Sequence, residues 1–254
     1  MSGNRFTGRS ALVTGAGTGI GRAAALALAA EGARVVVAGR SRAPLEETVA
    51  LVERAGGTAV AEVADVSRAA DVRELVHAVV ERFGALDVAV NNAGVFRGGP
   101  LADLAVDDWQ TLLDINVTGV FLALQAEIRQ MRTQPGGGAI VNVASNLGRH
   151  TQVPNAVAYA ASKAAVASLT RGAALEYIAD GVRINAVSPG ASDTSMSLRP
   201  GETEADRAVR MKDQSPLGRV SSTQEVAAAV LYLASDEAAS LVGTDLVIDG
   251  GAAL

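Results

Sequence analysis

The stretch Thr14-Gly15-Ala16-Gly17-Thr18-Gly19-Ile20-Gly21 lies between a short apolar segment, 10–13, and an alanine- and leucine-rich segment of helical length, 20–30. A strand, a glycine-rich turn and a helix in this order aim free N–H groups and the positive end of a helix dipole at one point, where phosphate can bind. The spacing Gly-x-x-x-Gly-x-Gly differs from the usual dinucleotide fingerprint, and a turn that only connects strand to helix is the alternative. No Gly-Lys-Ser/Thr follows, which excludes a Walker-type ATP site. The setting favours a nucleotide.

The same alternation of strand and helix continues through the chain. Strands are predicted at 10–13, 34–38, 59–63, 87–90, 139–143, 182–187 and 245–248, and helices at 20–30, 44–54, 69–83, 106–131, 157–178 and 224–234. This order predicts an α/β fold, a doubly wound Rossmann-type parallel sheet with helices on both faces, in a single domain over 1–254. The polar segment 192–219 interrupts the alternation and is predicted to be a substrate lid, with a solvated helix near 204–212.

Composition excludes several kinds of function. The chain has 254 residues and no cysteine, so a disulfide framework, a cysteine nucleophile and a zinc–thiolate site are absent. It has two histidines, and we predict no metal site. The net charge of −5 without a basic cluster argues against nucleic-acid binding. No uncharged apolar run reaches the roughly 18 residues of a membrane span, so we expect a soluble, cytoplasmic protein without a membrane partner.

The end of the second predicted strand bears on the coenzyme. An NAD enzyme places a carboxylate there to hold the ribose hydroxyls, whereas this chain has Gly39 followed by Arg40, Ser41 and Arg42. Arginine binds a 2′-phosphate well, so NADP(H) is favoured over NAD(H). Arginines that merely solvate a loop are the alternative. Asp65-Val66, after the third strand, is expected to border the adenine, and Asp65 to cap the following helix, or both.

Tyr159 and Lys163 are four residues apart, on one face of a predicted helix. A nearby ammonium group is expected to lower the tyrosine pKa from about 10 toward neutrality, as a general acid/base requires. An amphipathic pair with Lys163 in solvent is the alternative. Ser145, the pair Asn92 and Gly94, and the pair Pro189 and Gly190 follow three other predicted strands. Their convergence at the carboxyl edge of the sheet favours a site.

Together these motifs resemble the short-chain dehydrogenase/reductase family over essentially the whole chain, from 14–21 to Val247-Ile248-Asp249-Gly250-Gly251. The resemblance implies seven strands in the order 3-2-1-4-5-6-7, a homotetramer with helices 106–131 and 157–178 at an interface, and hydride transfer between NADP(H) and a carbonyl/alcohol pair. It also implies a catalytic tetrad of Asn116, Ser145, Tyr159 and Lys163, in which Asn116 would hold a water in a proton relay. The candidate cofactor contacts are Gly15, Thr18, Gly19, Ile20, Arg40, Ser41, Asp65, Val66, Asn92, Gly94, Tyr159, Lys163, Pro189, Gly190, Ser192 and Thr194.

Three positions depart from the family pattern. Ser145 and Tyr159 are one position further apart than usual, and Asn146 stands at the usual count; we choose Ser145 from its register with the preceding strand. Ser192 replaces a branched apolar residue. Asp180 stands where acyl-carrier reductases tend to have a basic residue, which argues modestly against a carrier-protein substrate.

The sequence therefore predicts an NADP(H)-dependent oxidoreductase of a ketone or secondary alcohol. A 3-oxoacyl-thioester reductase is the alternative within the class, and a non-catalytic NADP-binding regulator is the alternative outside it. A nucleotide-sugar epimerase is disfavoured by the short chain. We expect His150 to face solvent in a loop, and Trp109 and Met131 to pack between helices.

Overall fold

The computed structural model describes residues 4–254, and its seven strands form one parallel sheet. The strands are β1 (Ser10–Thr14), β2 (Arg34–Gly39), β3 (Thr58–Val63), β4 (Val88–Asn91), β5 (Gly138–Val143), β6 (Val182–Pro189) and β7 (Asp245–Ile248). Their order is β3-β2-β1-β4-β5-β6-β7. The predicted strand order is confirmed.

Helices cover both faces of this sheet. They are α1 (Gly19–Ala30), α2 (Arg42–Arg54), α3 (Ala69–Phe83), α4 (Val106–Leu112), α5 (Gly119–Met131), α6 (Asn146–Arg149, a single distorted turn), α7 (Val157–Tyr177), α8 (Glu204–Gln214) and α9 (Thr223–Ala234). Helices α1, α2 and α9 pack on one face, and α3, α5 and α7 on the other.

Alternate residues of each central strand supply the two cores. Val13 of β1 packs with the α1/α9 layer and its neighbour Leu12 with the α3/α5 layer, because successive strand side chains point to opposite faces. Every residue of β1 is buried. Burial on both faces explains why the central strands are continuous apolar runs.

The predicted helix 106–131 is wrong as a single helix. A π-helical turn, Leu113–Thr118, separates α4 from α5. Such turns widen the helix locally and frequently occur at functional sites. Here the turn carries the buried Asn116.

The stretch Val106–Met131 also bears on the membrane question. By length and composition alone its 26 residues, with a mean hydropathy of 1.3, could cross a membrane. The length of unbroken, uncharged apolar runs in the sequence was therefore too simple a test for a membrane span. In the structure this stretch is interrupted by the π turn and packs on the sheet, with 44% of its apolar window buried.

The segment 192–219 carries a short 3-10 turn, Ser195–Ser197, and helix α8. Thr203 begins α8 with a capping box, because its hydroxyl accepts from Asp206 N and the Asp206 carboxylate accepts from Thr203 N. The predicted helix near 204–212 is present and extends to Gln214.

Candidate active site

The loop after β1 has the geometry of an anion-binding turn. Gly15 and Gly19 have φ of 63° and 54°, which glycine adopts without strain. Helix α1 begins at Gly19, its first turn has no acidic residue, and no side chain within 4–254 caps it. Its first N–H groups and dipole are thus available to a phosphate.

Two residues of the neighbouring strand ends hold this loop. Asn92 Nδ2 donates to Thr14 O and Gly15 O at 3.0 and 3.2 Å. Thr14 Oγ1 accepts from the N–H groups of Asn92 and Ala93, both at 3.1 Å. Asn92 was predicted to contact the cofactor, whereas its side chain is used to hold the loop backbone. Thr14 was not singled out; a hydroxyl at the end of a buried apolar strand is the signal that could have found it.

Arg22 supports the loop from the first helix. Its guanidinium donates to Gly17 O at 2.5 Å and to Thr48 Oγ1 at 3.1 Å, and pairs with Glu47 at 2.7 Å. Sequence reasoning also missed Arg22, because its partners lie on another helix.

The end of β2 presents Arg40 and Ser41 as exposed residues. Arg42 lies 3.7 Å from Glu46 across one turn of α2, so its charge is partly occupied. Asp65 lies close enough for the Arg40 charge to act on its carboxyl. Burial opposes ionisation of Asp65, but hydrogen bonds from Ser67 and the charge of Arg40 outweigh it and lower the pKa of Asp65.

Asp65 does not cap α3. Arg68 occupies the N-cap position, and Asp65 Oδ1 accepts from Ser67 N and Oγ at 3.0 and 2.7 Å. The adjacent Val66 packs against the start of α5, where a Cβ on Gly119 would lie 2.9 Å from Val66 Cγ2.

Tyr159 and Lys163 are both buried on α7. Burial raises the pKa of Tyr159 to about 12, and a hydrogen bond with Ser145 opposes this rise. Lys163 Nζ donates to Val143 O at 2.8 Å and lies 5.9 Å from the centroid of the Tyr159 ring. Burial lowers the pKa of Lys163 to about 8. The predicted lowering of the tyrosine pKa is therefore wrong for this structure, because desolvation outweighs the hydrogen bond with Ser145.

Asn116, the fourth predicted tetrad member, is enclosed by the π turn. Its Oδ1 accepts from Val95 N at 2.9 Å, and its Nδ2 donates to Val95 O and Ser162 Oγ, both at 3.0 Å. Ser162 in turn donates to Tyr159 O at 2.7 Å. A Cβ on Gly94 would lie 3.3 Å from Asn116 Oδ1 and 3.4 Å from Lys163 Nζ. The structure thus brings Asn116, Lys163 and Gly94 together.

Ser145 and Asn146, the two candidates for the position of the catalytic serine, direct their side chains to different partners. Ser145 Oγ accepts from Leu147 N at 3.1 Å, donates to Pro189 O at 3.5 Å, and opposes the rise in the pKa of Tyr159. Asn146 Nδ2 donates to Asp249 Oδ2 at 3.1 Å, so its amide is directed to the C-terminal segment.

The loop after β6 returns to the glycine turn. Gly190 N donates to Ile248 O at 3.0 Å, and Ser192 Oγ donates to Gly190 O at 3.1 Å. A Cβ on Gly19 would lie 3.0 Å from Thr194 Cγ2. The loop from Pro189 to Thr194 therefore lies against the start of α1, as a cofactor bridging both would require.

One expectation for the substrate side is wrong, and a second is incomplete. His150 does not simply face solvent: its Nε2 lies 2.8 Å from Oδ2 of the buried Asp245. The lid is not merely solvated, because Arg207 is buried and contacts Asp193, Thr194 O (3.0 Å) and Ser197 Oγ (2.8 Å). The His150 contact joins residues 95 positions apart, and the Arg207 contacts join residues 10 to 14 positions apart.

An apolar wall lies beside the tyrosine. The rings of Phe96 and Tyr159 are 5.1 Å apart at an angle of 59°. Phe96 is 40% exposed. The half-buried Val95, Leu104 and Leu147 pack with Tyr159 in one cluster. Trp109 is 38% exposed and Met131 is fully buried, so only Met131 behaves as predicted.

Within residues 4–254 no group of three or more histidine, aspartate or glutamate side chains is placed to hold a metal ion.

Comparison with known proteins agrees with this geometry. The family described as "Enoyl-(Acyl carrier protein) reductase" matches residues 15–253. The chain is 41% identical to the cis-4-hydroxycyclohexanecarboxylate dehydrogenase of Sinomonas cyclohexanicum, with 98% of each chain covered. It is 39% identical to the 3beta-hydroxysteroid dehydrogenase 1 of Eggerthella lenta, covering 97% of this chain and 94% of that one. The crystal structure of levodione reductase superposes with a TM-score of 0.91 at 38% identity, covering 97% and 98% of the two chains.

Proposed function

Because the chain belongs to the short-chain dehydrogenase/reductase family, whose members similar to it are alcohol and ketone oxidoreductases, we propose that it interconverts a cyclic secondary alcohol and its ketone with NADP(H). The observation that carries this proposal is the buried Tyr159, in contact with Ser145 and Lys163 beneath an apolar wall. The chain is an NAD(P)-dependent oxidoreductase; the coenzyme preference, the roles of residues and the substrate are the proposal.

The residues after β1 fit a dinucleotide. A side chain at Gly15 would lie 2.8 Å from Asn92 Nδ2 and 2.9 Å from Ala93 Cα, so the backbone stays bare where phosphates would approach. Gly15, Thr18, Gly19 and Ile20 would hold the pyrophosphate; Asp65, Val66 and Asn92 would border the adenosine. Gly94, Lys163, Pro189, Gly190, Ser192 and Thr194 would hold the nicotinamide end. The coenzyme supplies or accepts the hydride when bound.

Tyr159 moves the proton. With its pKa near 12 it stays protonated at neutral pH and can donate to a carbonyl oxygen held by the Ser145 hydroxyl. The phenolate that forms is stabilised by that hydroxyl and by the Lys163 ammonium. Asn116 keeps this arrangement in place, because it bonds Val95 and Ser162 on either side of the tyrosine. In the direction of oxidation the proton returns to Tyr159.

NADP(H) is favoured by the end of β2. No carboxylate occupies 39–42, and Arg40 and Ser41 are exposed, where a 2′-phosphate could receive hydrogen bonds. Arg42 is partly paired with Glu46, so Arg40 is the better candidate. A cytoplasmic location, where dissolved coenzyme is available, is part of the same proposal.

A cyclic substrate is favoured by the wall and by the relatives. A ring can pack on the exposed edge of Phe96 while its oxygen lies between Ser145 and Tyr159. The two curated relatives described above are named for substrates that contain saturated rings. The segment 192–219, with the exposed Met196, would close over the ring as a lid.

The proposal includes a homotetramer. Helices α5 and α7 carry large apolar side chains that are exposed in the single chain: Phe121 at 47%, Val157 at 44% and Leu175 at 81%. Apolar surface of this kind is typical of an interface, and a second copy of the same helices is the expected partner. Light scattering should give four times the 25.7 kDa chain mass.

The test is turnover with NADPH and with NADH on cyclic ketones, linear ketones and a 3-oxoacyl thioester. We expect cyclic ketones and NADPH to give the highest kcat/KM. Tyr159→Phe should lose at least about 100-fold in kcat, as expected for removal of a general acid, with unchanged coenzyme affinity. Arg40→Ala should weaken NADPH but not NADH.

The outcomes separate the alternatives. Preference for the thioester would replace the cyclic substrate, and equal loss for both coenzymes in Arg40→Ala would contradict the NADP(H) assignment. Tight coenzyme binding with no turnover on any substrate would favour a regulator instead.

A further inference from the structure

A buried acid outside the proposed catalytic group lies at the centre of the molecule. Glu127 of α5 is fully buried. Its Oε2 accepts from Asn91 Nδ2 at 2.9 Å, and the same amide nitrogen donates to Asn142 Oδ1 at 3.0 Å. Asn142 Nδ2 donates to Thr170 Oγ1 at 2.9 Å. The chain of hydrogen bonds therefore joins α5, β4, β5 and α7.

The donor and the acceptor of every hydrogen bond in this series can be assigned by starting from Thr170. Thr170 donates its hydroxyl proton to Val166 O at 2.8 Å, so it must accept from Asn142. Asn142 then offers its oxygen to Asn91, and both hydrogens of Asn91 Nδ2 are used. Asn91 Oδ1 is left needing a donor.

Three buried side-chain oxygens in the described part of the chain have no hydrogen-bond partner, and two of them belong to this network: Asn91 Oδ1 and Glu127 Oε1. An ionised carboxylate cannot satisfy an amide oxygen, because both are acceptors. A proton on Glu127 Oε1, donated to Asn91 Oδ1, would give both atoms a partner and would add a second acid–amide bond to the one from Asn91 Nδ2. Leaving both unpaired in the interior would be unfavourable.

We propose that Glu127 is a neutral carboxylic acid in the working enzyme, and that its proton bonds Asn91 and so positions the strand ends that carry Asn92 and Val143. Asn92 holds the glycine loop through Thr14 O and Gly15 O. Val143 O accepts from Lys163 Nζ. Glu127 is thus a positioning residue that acts on both halves of the site. Its protonation stands on the hydrogen bonds alone, while its effect on turnover rests on the proposed function.

The surroundings of Glu127 are consistent with a neutral acid. The groups that face it from β4, β5 and α7 are Asn91, Asn142 and Thr170, all uncharged. Burial raises the pKa of Glu127 from 4.5 to about 7, and only the Asn91 hydrogen bond opposes this. On α7, Lys163 is bonded to Val143 O. The Asp, Glu, His and Arg side chains of the packed helices α3 and α7 are exposed or half-buried: Asp71, Arg73, Glu74, His77, Glu81, Arg82, Arg171 and Glu176.

The sign of the pH dependence follows. The folded protein binds this proton more tightly than the unfolded chain, so the stability it contributes is complete below pH 4.5. That stability is lost as the pH rises toward about 7. Above that pH the unpaired carboxylate should loosen the glycine loop.

The test is infrared spectroscopy of the full-length protein and of Glu127→Gln, with exposed Glu81→Gln as the control for loss of one carboxylate. We expect the C=O stretch of a protonated carboxyl at pH 6 in the wild type and in Glu81→Gln. It should disappear at pH 9 and be absent from Glu127→Gln. Absence of the band from the wild type at pH 6, or its survival in Glu127→Gln, would overturn the proposal. The wild-type titration decides even where the variant does not fold.

A second measurement reports the positioning role. Between pH 5 and 8 the Tm of the wild type should fall by about 5 °C more than that of Glu127→Gln, because the glutamine amide can make both bonds with Asn91 at every pH. Over the same range NADPH affinity should fall several-fold in the wild type and stay constant in Glu127→Gln. A pH-independent affinity in both proteins would remove the positioning role. An infrared band at pH 6 in a protein that turns over no substrate would support the protonation of Glu127 and count against the proposed function.

Discussion

The cofactor side and the substrate side of the candidate active site are held in place by different kinds of contact. On the cofactor side, the loop after β1 depends on bare backbone: Gly15 adopts a positive φ, and Asn92 bonds main-chain carbonyls. On the substrate side, the lid 192–219 depends on long charged side chains. Arg207 reaches Asp193 and Thr194, and Arg210 pairs with Glu202 at 2.6 Å.

This difference determines how each side should respond to substitution. The cofactor loop leaves no space for added atoms, so it should fail abruptly when one is introduced. The lid is held by several separate polar contacts, so it should loosen in steps. Three substitutions test this contrast.

The largest effect is expected for Gly21→Ala. A Cβ at this position would lie 2.4 Å from Gly15 O and 2.5 Å from Asn92 Nδ2. Both atoms belong to the hydrogen-bonded loop, so neither can move without breaking it. We expect a loss of about 3 kcal/mol or more in the free energy of unfolding, measured in urea, and loss of coenzyme binding.

Gly172→Ala is the matched control. Gly172 is also helical, on α7, and its Cβ would meet nothing within 4 Å. It should gain about 0.5–1 kcal/mol, because alanine is the better helix former. If both variants had wild-type stability, the cofactor loop would be more adaptable than its geometry implies.

A smaller effect is expected for Arg207→Met, which keeps the aliphatic stem and removes the guanidinium. Thr194 O and Ser197 Oγ lose a buried partner, which should cost about 1–3 kcal/mol. Hydrogen exchange should show faster opening of 192–219 and unchanged exchange in α1.

Arg219→Met is its control, since Arg219 pairs with Glu225 in an exposed position. Such pairs contribute about 0–1 kcal/mol. Equal opening of the lid in both variants would show that Arg207 does not fasten it.

The features on which the cofactor prediction rests are local in sequence, and the predicted strand order is confirmed. The glycine turn and the acid-free end of β2 are both read from a few consecutive residues, and the strand order follows from the family resemblance. The second role of Asn92, holding the glycine loop, was not predicted, because its carbonyl partners Thr14 O and Gly15 O are far from it in sequence.

The substrate side was predicted less well because its determinants are tertiary. The His150–Asp245 contact joins residues 95 positions apart, and the Arg207 contacts depend on how α8 folds back. The pKa of Tyr159 was predicted to fall, since spacing shows the lysine but not the burial that raises it. The π turn around Asn116 likewise interrupts a pattern that looks helical throughout.

The smallest effect concerns Asn155, which places a positive φ on the substrate side without glycine. Its φ is 64°, the only positive value of a non-glycine residue within 4–254. Asn155 O accepts from Gly99 N at 2.8 Å and so joins its loop to the one that carries Phe96. Asparagine tolerates this conformation better than alanine does, and glycine tolerates it best.

Asn155→Ala should therefore lose about 1 kcal/mol in the free energy of unfolding, whereas Asn155→Gly should stay within a few tenths of wild type. Because Phe96 packs on Tyr159, the alanine variant should also raise KM for a cyclic ketone more than for a linear one. Loss of stability in both variants would assign the effect to the asparagine side chain rather than to its backbone. Loss of stability in the alanine variant alone would show that both sides of the site depend on a residue with left-handed backbone. On the substrate side that residue can carry the side chain of asparagine, whereas the cofactor loop has no space for one.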